Sequence, residues 1–510
     1  MTTPATPAYP DKIDAAVLKI AGVVVLGAVM SILDITVVSV ALPTFQSVFD
    51  TSYATVAWTM TGYTLALATV IPMTGWAADR FGTKRLYILA LVLFVAGSVL
   101  CAFANTIGML IAFRVLQGLG GGMLMPLGMT IMTRAAGPDR IGRLMAVLGI
   151  PMLLGPISGP ILGGWLIDTF SWHWIFLINV PIGIAAIIYA QMVLPRDSPS
   201  PSESFDFVGM ALLSPGLAAF LFGVSSIPEA GTFFAPRPLV ATVIGILLII
   251  AFVFHAFRPE HPLLDLRLFK NFRLTISIIA MFMFITAFMG AGLLFPSYFL
   301  QVRGESTLMA GLLIAPQGIG AMITMPIAGA LTDKLPVGRI VPFGLVLIAI
   351  GFGVFTQVEA DTSYMVLMSA LFVMGLGMGA TMMPIMTASL KSLTSHEVAR
   401  GSTLLNIVQQ IGSSVGAALM SVVLTNEIQK SDAAGAAIAS NFDPTVADNF
   451  SPAYLAQGFI DAAAAFATTF WVALVLILLT FIPVYFLPRK HEESHLLDDD
   501  TGAAPPVMMH

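Results

Sequence analysis

The sequence predicts an all-α polytopic membrane protein, and two observations carry that prediction. Of 510 residues, 57% are hydrophobic and only 10% are charged, whereas soluble chains carry about a quarter charged residues. A water-facing surface cannot be made from that composition. The apolar residues also collect in runs of about 20, the length a helix needs to cross a hydrocarbon core of about 30 Å. In lipid every backbone polar group must be paired within the protein, which leaves helical bundles and closed barrels; runs of this length select helices. The balance of 23 Lys and Arg against 28 Asp and Glu, net −5, argues against a nucleic-acid partner, which calls for a clustered basic face. One cysteine, Cys101, excludes a disulfide framework, a Cys-based zinc site and an iron–sulfur cluster.

The runs predict fourteen spans, at about 17–42, 54–77, 86–104, 108–133, 144–167, 172–194, 207–225, 238–257, 274–300, 308–332, 340–357, 364–390, 403–426 and 460–487. Positive loops stay on the cytoplasmic side, and the bases separate accordingly. Arg80, Lys84 and Arg85 follow the second span, Arg134, Arg140 and Arg143 the fourth, and Lys391 and Arg400 the twelfth, while the opposite side holds only Arg237, Arg303 and Lys430. Both termini are therefore expected to be cytoplasmic, in a multi-pass protein of the bacterial inner (plasma) membrane. The polar N-terminal segment carries no cleavable signal, so the first span is expected to act as an uncleaved anchor. The outer stretch Glu427–Phe459 and the acidic tail Pro488–His510 read as solvated, mobile segments.

A repeat is visible in the loops. G-W-A-A-D-R-F-G-T-K-R runs from Gly75 to Arg85 after the second span, and G-A-L-T-D-K-L-P-V-G-R from Gly329 to Arg339 after the tenth. This is a parallel repeat, of the kind in which two bundles move around a central site. Gly75, Asp79, Arg80, Gly82 and Lys84 match the cytoplasmic signature of the major facilitator superfamily. L-D-I-T-V-V-S-V-A-L-P (Leu33–Pro43), R-V-L-Q-G-L-G (Arg114–Gly120), G-P-I-S-G-P-I-L-G-G (Gly155–Gly164) and W-H-W-I-F-L-I-N-V-P-I-G (Trp172–Gly183) resemble, in order, motifs of its fourteen-span drug:proton antiporters. The resemblance implies a major facilitator fold of two six-helix bundles plus two extra central helices. Its parts are an N-terminal segment 1–16, a bundle 17–194, a linker with two added helices 195–273, a bundle 274–487 with the outer loop 427–459, and a tail 488–510.

Asp34 is the one acid well inside a predicted span and Arg114 the one base. An ionised side chain in lipid is costly and by default functional, so Asp34 is the expected proton-coupling group; the alternative is an acid held permanently in a structural ion pair with no proton cycle. At 1.5 Å per residue both lie roughly 9–12 Å below the outer boundary and can share a layer. The resemblance implies a proton-relay role for Arg114; the alternative from the residues alone is a helix-locking hydrogen bond to first-span backbone. Gln117 lies on the same helix face, at i+3. Gly155, Gly159 and Gly163 form a small-residue stripe beside the bend-inducing Pro156 and Pro160, read either as a seal against ion leak or as ordinary close packing. Asp79, Asp333 and their neighbouring bases read as an access gate.

Trp58, Tyr63, Gln117, Tyr298, Gln317, Asn406, Gln409 and Gln410 are the candidate substrate contacts, assigned to a cavity through the family's arrangement. Plentiful methionines, among them Met281, Met325 and Met386, suit apolar ligands of varied shape. No further acid falls in the second, tenth or thirteenth span, which favours neutral, zwitterionic, monocationic or lipid-like amphiphiles over dications. His173 stands where an Arg is common between the paired tryptophans. G-x-x-x-x-G-K-[ST] and H-E-x-x-H are absent, so no nucleotide, metal or other cofactor and no enzyme activity are expected; a proton gradient is the expected energy source. The resulting expectation is a monomeric, proton-driven exporter of drugs and similar small amphiphiles by alternating access. Its alternative is an exporter or flippase of an endogenous lipid, siderophore or other amphiphile whose drug efflux is incidental.

Overall fold

The computed structural model describes residues 14–136, 140–196, 204–230, 232–259, 261–394, 397–442 and 444–489, and holds no strand among them. The long helices are α1 (Ala15–Val48), α2 (Tyr53–Phe81), α3 (Thr83–Ala102), α4 (Ile107–Ala136), α5 (Ile141–Thr169), α6 (Trp174–Val193), α7 (Phe207–Ser225), α8 (Pro236–Ala256), α9 (Phe272–Gln301), α10 (Thr307–Thr332), α11 (Val337–Phe355), α12 (Tyr364–Lys391), α13 (Val398–Ile428) and α14 (Pro452–Tyr485). Thirteen of them are long and apolar enough to cross a membrane, and α5, with 29 residues, takes the remaining place. Thirteen of the fourteen predicted spans recur in order as such helices, and the fifth is matched in position by α5.

Short polar side chains fix where several spans start by accepting from orphan first-turn N–H groups. Asp14 caps α1 through Val17, Ser52 caps α2 through Thr55, Asn271 caps α9 through Arg273 and Leu274, and Ser451 caps α14 through Tyr454. Two spans are interrupted: α6 divides into Trp174–Leu177 and Asn179–Val193, and α9 into Phe272–Gly292 and Leu294–Gln301.

α1–α6 pack as one bundle and α9–α14 as a second. With no hydrophobic drive between helices in lipid, close approach depends on small residues. A Cβ on Gly120 of α4 would sit 2.6 Å from Phe94 N and 2.7 Å from Ala90 O of α3; in the second bundle, one on Gly320 of α10 would sit 2.4 Å from Phe372 O of α12. The added pair α7–α8 is tied to α2 where Ser214 Oγ donates to Thr69 O at 2.7 Å and where Trp58 stacks on Phe222. Its far end, at Val224 and Ile227, also packs on Ala418 of α13. The hairpin therefore touches both bundles.

The stretch 427–459 departs from expectation. It forms helices Asp432–Phe442 and Pro444–Ala447, and α14 begins at Pro452 rather than near residue 460. Ala433, Ala434 and Ala437 are buried, and Gly458 of α14 lets Ala433 O come within 2.1 Å of where a Cβ would be. Asn441 Nδ2 donates to Gln301 O at 2.8 Å, and Ser431 Oγ and Gln457 Nε2 donate to Asp461 of α14. Alanines that read as weakly hydrophobic coil are the packing face of a cap. The expected mobility of the tail beyond Arg489 concerns residues outside the described ones.

Gly120→Ala is expected to lower stability by about 1–3 kcal/mol through overpacking of α3 on α4. Gly108→Ala, which would meet nothing within 4 Å, is expected to be neutral or slightly stabilising. Thermal unfolding of the two purified variants checks the contrast.

Candidate functional site

Asp34 and Arg114 meet in the first bundle. Arg114 Nη1 donates to Asp34 Oδ2 at 2.5 Å, and both residues are 1% exposed. The guanidinium spends its other donors locally: Nε reaches Thr59 O at 3.1 Å, Nη1 also reaches Gln117 Oε1 at 2.7 Å, and the Tyr63 ring lies 4.2 Å from Arg114 Cζ. The backbone bond foreseen for Arg114 thus exists, but to α2 rather than to the first span. The other carboxyl oxygen, Asp34 Oδ1, accepts from Gln117 Nε2 at 2.7 Å and from Asn179 Nδ2 at 3.0 Å. Both amides also donate to Ser98 Oγ, at 2.7 and 3.1 Å. Tyr63 OH lies 3.3 Å from Ser31 Oγ. Five helices, α1, α2, α3, α4 and α6, contribute to one polar cluster.

Removing one partner of a buried ion pair leaves an uncompensated charge and costs about 3–5 kcal/mol. The carboxylate here has three donors and the guanidinium three acceptors and the Tyr63 ring face, which is the condition under which burying the pair is sustainable. Tyr63 and Gln117, foreseen as substrate contacts, are both fully enclosed in this network. Asn179 and Ser98 were missed by sequence reasoning. The available signals were modest: a lone amide within W-H-W-I-F-L-I-N-V-P-I-G, and a lone hydroxyl beside Gly97 in the apolar run of α3.

A second polar arrangement lies at the seam between bundles, on the face that carries the α2–α3, α4–α5, α10–α11 and α12–α13 turns and most Lys and Arg. There Gly142 of α5 and Gly329 of α10 are in backbone contact: a Cβ on either would fall 2.4 or 2.5 Å from the other's carbonyl oxygen. Asp333, its side chain 3% exposed, accepts from Gly142 N at 3.0 Å and from Arg143 N and Nε at 3.3 and 3.0 Å, with Lys391 Nζ at 3.4 Å. It caps the start of α5 from the other bundle, where the helix dipole favours an anion. The repeat-related Gly75 packs on Ala399 O, Arg400 Cα and Thr403 Oγ1 of α13. Asp79 pairs with Arg134 of α4 at 3.3 Å, as Asp333 does with Lys391 of α12, and its charge also acts on Arg400.

The remaining signature residues act within their own bundle. Gly82 takes φ +92° in the α2–α3 turn, Lys84 Nζ donates to Gln191 O and Leu194 O at the end of α6, and Arg80 is exposed. The stripe Gly155, Gly159, Gly163 faces Ile32, Thr36 and Val37 of α1, so it joins helices inside the first bundle; the Pro160 side chain lies outside the described residues. His173 stacks on Trp172, and partial burial lowers its pKa. The imidazole is therefore neutral near pH 7, and no charge stands where the Arg is common.

The foreseen substrate contacts scatter. Asn406 Nδ2 reaches Met129 Sδ across the seam at 3.1 Å, and Gln409 Nε2 lies 3.6 Å from Met386 Sδ and 4.0 Å from Met281 Sδ. Gln410 lines a narrow groove with Ala68, Ile71, Leu217 and Leu221. Gln317 Nε2 is buried without a partner among the described residues. Trp58 is exposed against α7–α8, and Tyr298 OH donates to Glu359 O at 2.6 Å, away from the seam. Apart from Tyr63 and Gln117, enclosed together in the Asp34 cluster, only Asn406 and Gln409 resemble each other among the described residues, as amides of α13 set against methionine sulfur.

Two six-helix bundles with repeat-related turns at their seam, and one buried ion pair, define a membrane transporter. The chain belongs to the Major Facilitator Superfamily, which it matches over residues 24–417. It is 48% identical over 502 residues to the "Multidrug resistance protein B homolog" of Mycobacterium tuberculosis (strain ATCC 25618 / H37Rv), covering 96% of this chain and 93% of that one. It is 30% identical over 404 residues to the "Multidrug export protein EmrB" of Escherichia coli (strain K12), covering 79% of each. The solved human organic anion transporter MFSD10 shares its fold with TM-score 0.59 at 16% identity, over 92% of this chain and 100% of that one. The proton:xylose symporter XylE does so with TM-score 0.59 at 14% identity, over 95% and 98%.

Arg114→Ala is expected to destabilise by about 3–5 kcal/mol, and combining it with Asp34→Asn to recover part of that loss, because the stranded charge is gone. Thermal unfolding of the single and double variants measures the coupling. Asp333→Asn is expected to loosen the α5–α10 contact, read as a longer and broader distance distribution between spin labels on the α4–α5 and α10–α11 turns.

Proposed function

We propose that the chain exports drugs and similar hydrophobic or amphiphilic compounds across the plasma membrane in exchange for protons. The observation that carries this reading is the Asp34 carboxylate, 1% exposed inside α1 with Arg114 as its cation. An acid at that depth has no structural need that an apolar residue would not meet at lower cost. In this reading a proton from outside neutralises Asp34 and weakens its hold on Arg114, and the proton leaves to the cytoplasm once the bundles have parted on that side. The printed names of the relatives, a multidrug resistance protein and a multidrug export protein, support drugs as the cargo.

The basic face is assigned to the cytoplasm by the retention of positive loops. The Gly142–Gly329 and Gly75–Ala399 contacts then belong to a carrier closed toward the cytoplasm, held by Asp333 and Asp79. Cargo is received at the seam, by Asn406 and Gln409 among Met129, Met281 and Met386. Thioethers adapt to ligands of different shape while the amides orient a polar end. The working unit is a single chain.

Vesicles containing the purified protein, given an imposed pH gradient and a fluorescent amphiphilic dye, test the reading. Wild type is expected to move dye uphill and to acidify or alkalinise in step with it, and Asp34→Asn to bind dye while losing uphill movement. Uphill transport by Asp34→Asn at the wild-type rate would remove Asp34 from the coupling.

A further inference from the structure

The donors on Asp34 respond differently when the carboxylate takes a proton. Protonation turns one carboxyl oxygen from acceptor into donor, so something facing it must then accept. Arg114 has only donors. Gln117 is pinned: its Oε1 accepts from Arg114 Nη1 at 2.7 Å and Cys101 Sγ at 3.8 Å, while its Nε2 donates to Asp34 Oδ1 and Ser98 Oγ. Turning it over would set its NH₂ against the guanidinium.

Asn179 is not pinned. Its Nδ2 donates to Asp34 Oδ1 and Ser98 Oγ, and among the described residues no donor engages its Oδ1. Ser98 Oγ accepts from two amides, and its own hydrogen has no acceptor among the described residues. A half-turn of the Asn179 amide therefore joins one unused acceptor to one unused donor. It also places Oδ1 against Asp34 Oδ1.

We infer that Asn179 is a positioning residue that registers the protonation state of Asp34, donating to the carboxylate and, after a half-turn of its amide, accepting from the carboxylic acid. This rests on Asp34 being protonated in the cycle. The bond formed is Asp34 Oδ1–H; Oδ2 goes on accepting from Arg114, and Gln117 keeps all its partners. Asn179 lies in the first turns of α6, six residues after Trp172–His173. The titratable groups facing Asp34 are Arg114 on α4, Tyr63 on α2 and Cys101 on α3; α5, packed on α1 through Gly155 and Gly159, and α6 add none among the described residues.

Infrared difference spectra between alkaline and acid conditions, on the full chain in lipid nanodiscs with asparagine labelled at its side-chain carbonyl, test the inference without any substrate. Wild type is expected to show a carboxylic C=O band that Asp34→Asn lacks, accompanied by a shift of one labelled amide band that Asn179→Leu lacks. Asn179→Leu should keep the carboxylic band, which also reports an intact fold, while its proton-driven dye efflux falls about tenfold, the size of one hydrogen bond to a charged group. Asn179→Ser, whose hydroxyl both donates and accepts, should recover most of that loss. An amide shift that persists in Asn179→Leu, efflux within about twofold of wild type in that variant, or equal losses in the Leu and Ser variants would overturn the inference while leaving the role of Asp34 standing. A wild-type spectrum with no carboxylic band dependent on Asp34 would overturn that role and this inference together.

Discussion

An ionised carboxylate at mid-depth in a membrane span must be neutralised on the spot, and the first bundle is organised around that requirement. Lipid cannot solvate the charge and Asp34 is buried, so its oxygens have to meet donors supplied by neighbouring helices. Arg114, Gln117 and Asn179 supply them from α4 and α6. The close approaches that bring these helices within reach are themselves made by small residues. A Cβ on Gly97 would collide with Gln117 Cα at 2.7 Å, and one on Gly118 or Gly121 would fall 2.5 Å from Tyr63 O or Tyr63 OH. Larger residues there would push α3 and α2 off α4 and open the cluster. Helix packing and charge compensation are one constraint in this bundle.

The second bundle solves a different problem. Its interior is built from phenylalanines such as Phe284, Phe288, Phe295, Phe352 and Phe470, with hydroxyls that mostly bond back to their own helix, as Thr381 does to Gly377 O and Ser389 to Ile385 O. No acid or base is fully buried in it among the described residues. The repeat visible in the two motif loops therefore governs architecture and the turns at the seam but not the interior. Asp79 and Asp333 hold equivalent places, each paired with a base at the end of the helix two along. The buried pair has no counterpart across the repeat.

The fold was largely legible because its signal is composition: long apolar runs and a one-sided distribution of bases need no tertiary information. The pairing of Asp34 with Arg114 was legible too, since two lone charges at similar depth have few other partners. What stayed hidden depends on helix rotation, which apolar runs with little amphipathic bias do not encode. The glycine stripe of α5 faces α1 rather than the seam for that reason, and Asn179, an ordinary polar residue in sequence, is turned by the rotation of α6 onto Asp34. The segment 427–459 misled in the opposite way. Its alanines and single charges resemble coil until the groove at Gly458 that receives them is known.

In the proposed cycle energy coupling and recognition occupy different places, the Asp34 cluster and the α13 amides at the seam, and the chemistry of each place favours that separation. A cluster in which both oxygens of the carboxylate are held by donors, with the Asn179 Oδ1 and the Ser98 hydroxyl hydrogen in reserve, is suited to one event, the arrival or loss of a proton. It gains nothing from touching cargo of varied shape, and a foreign acceptor inside it would compete for Arg114. The seam has the opposite character, since thioethers are weak acceptors and the Gln409 amide meets only sulfur, at 3.6 Å and beyond. Groups left with weak partners lose little when a ligand replaces those partners. A carrier tolerant of many substrates needs such a lining, and one that still holds a fixed exchange with protons needs the cluster to be out of the substrate's reach. α4 joins the two, carrying Arg114 and Gln117 in the cluster and Met129, which receives Asn406, at the seam. In the proposed cycle this one helix, with Pro126 between its two ends, is the covalent link between proton and cargo, which need not touch.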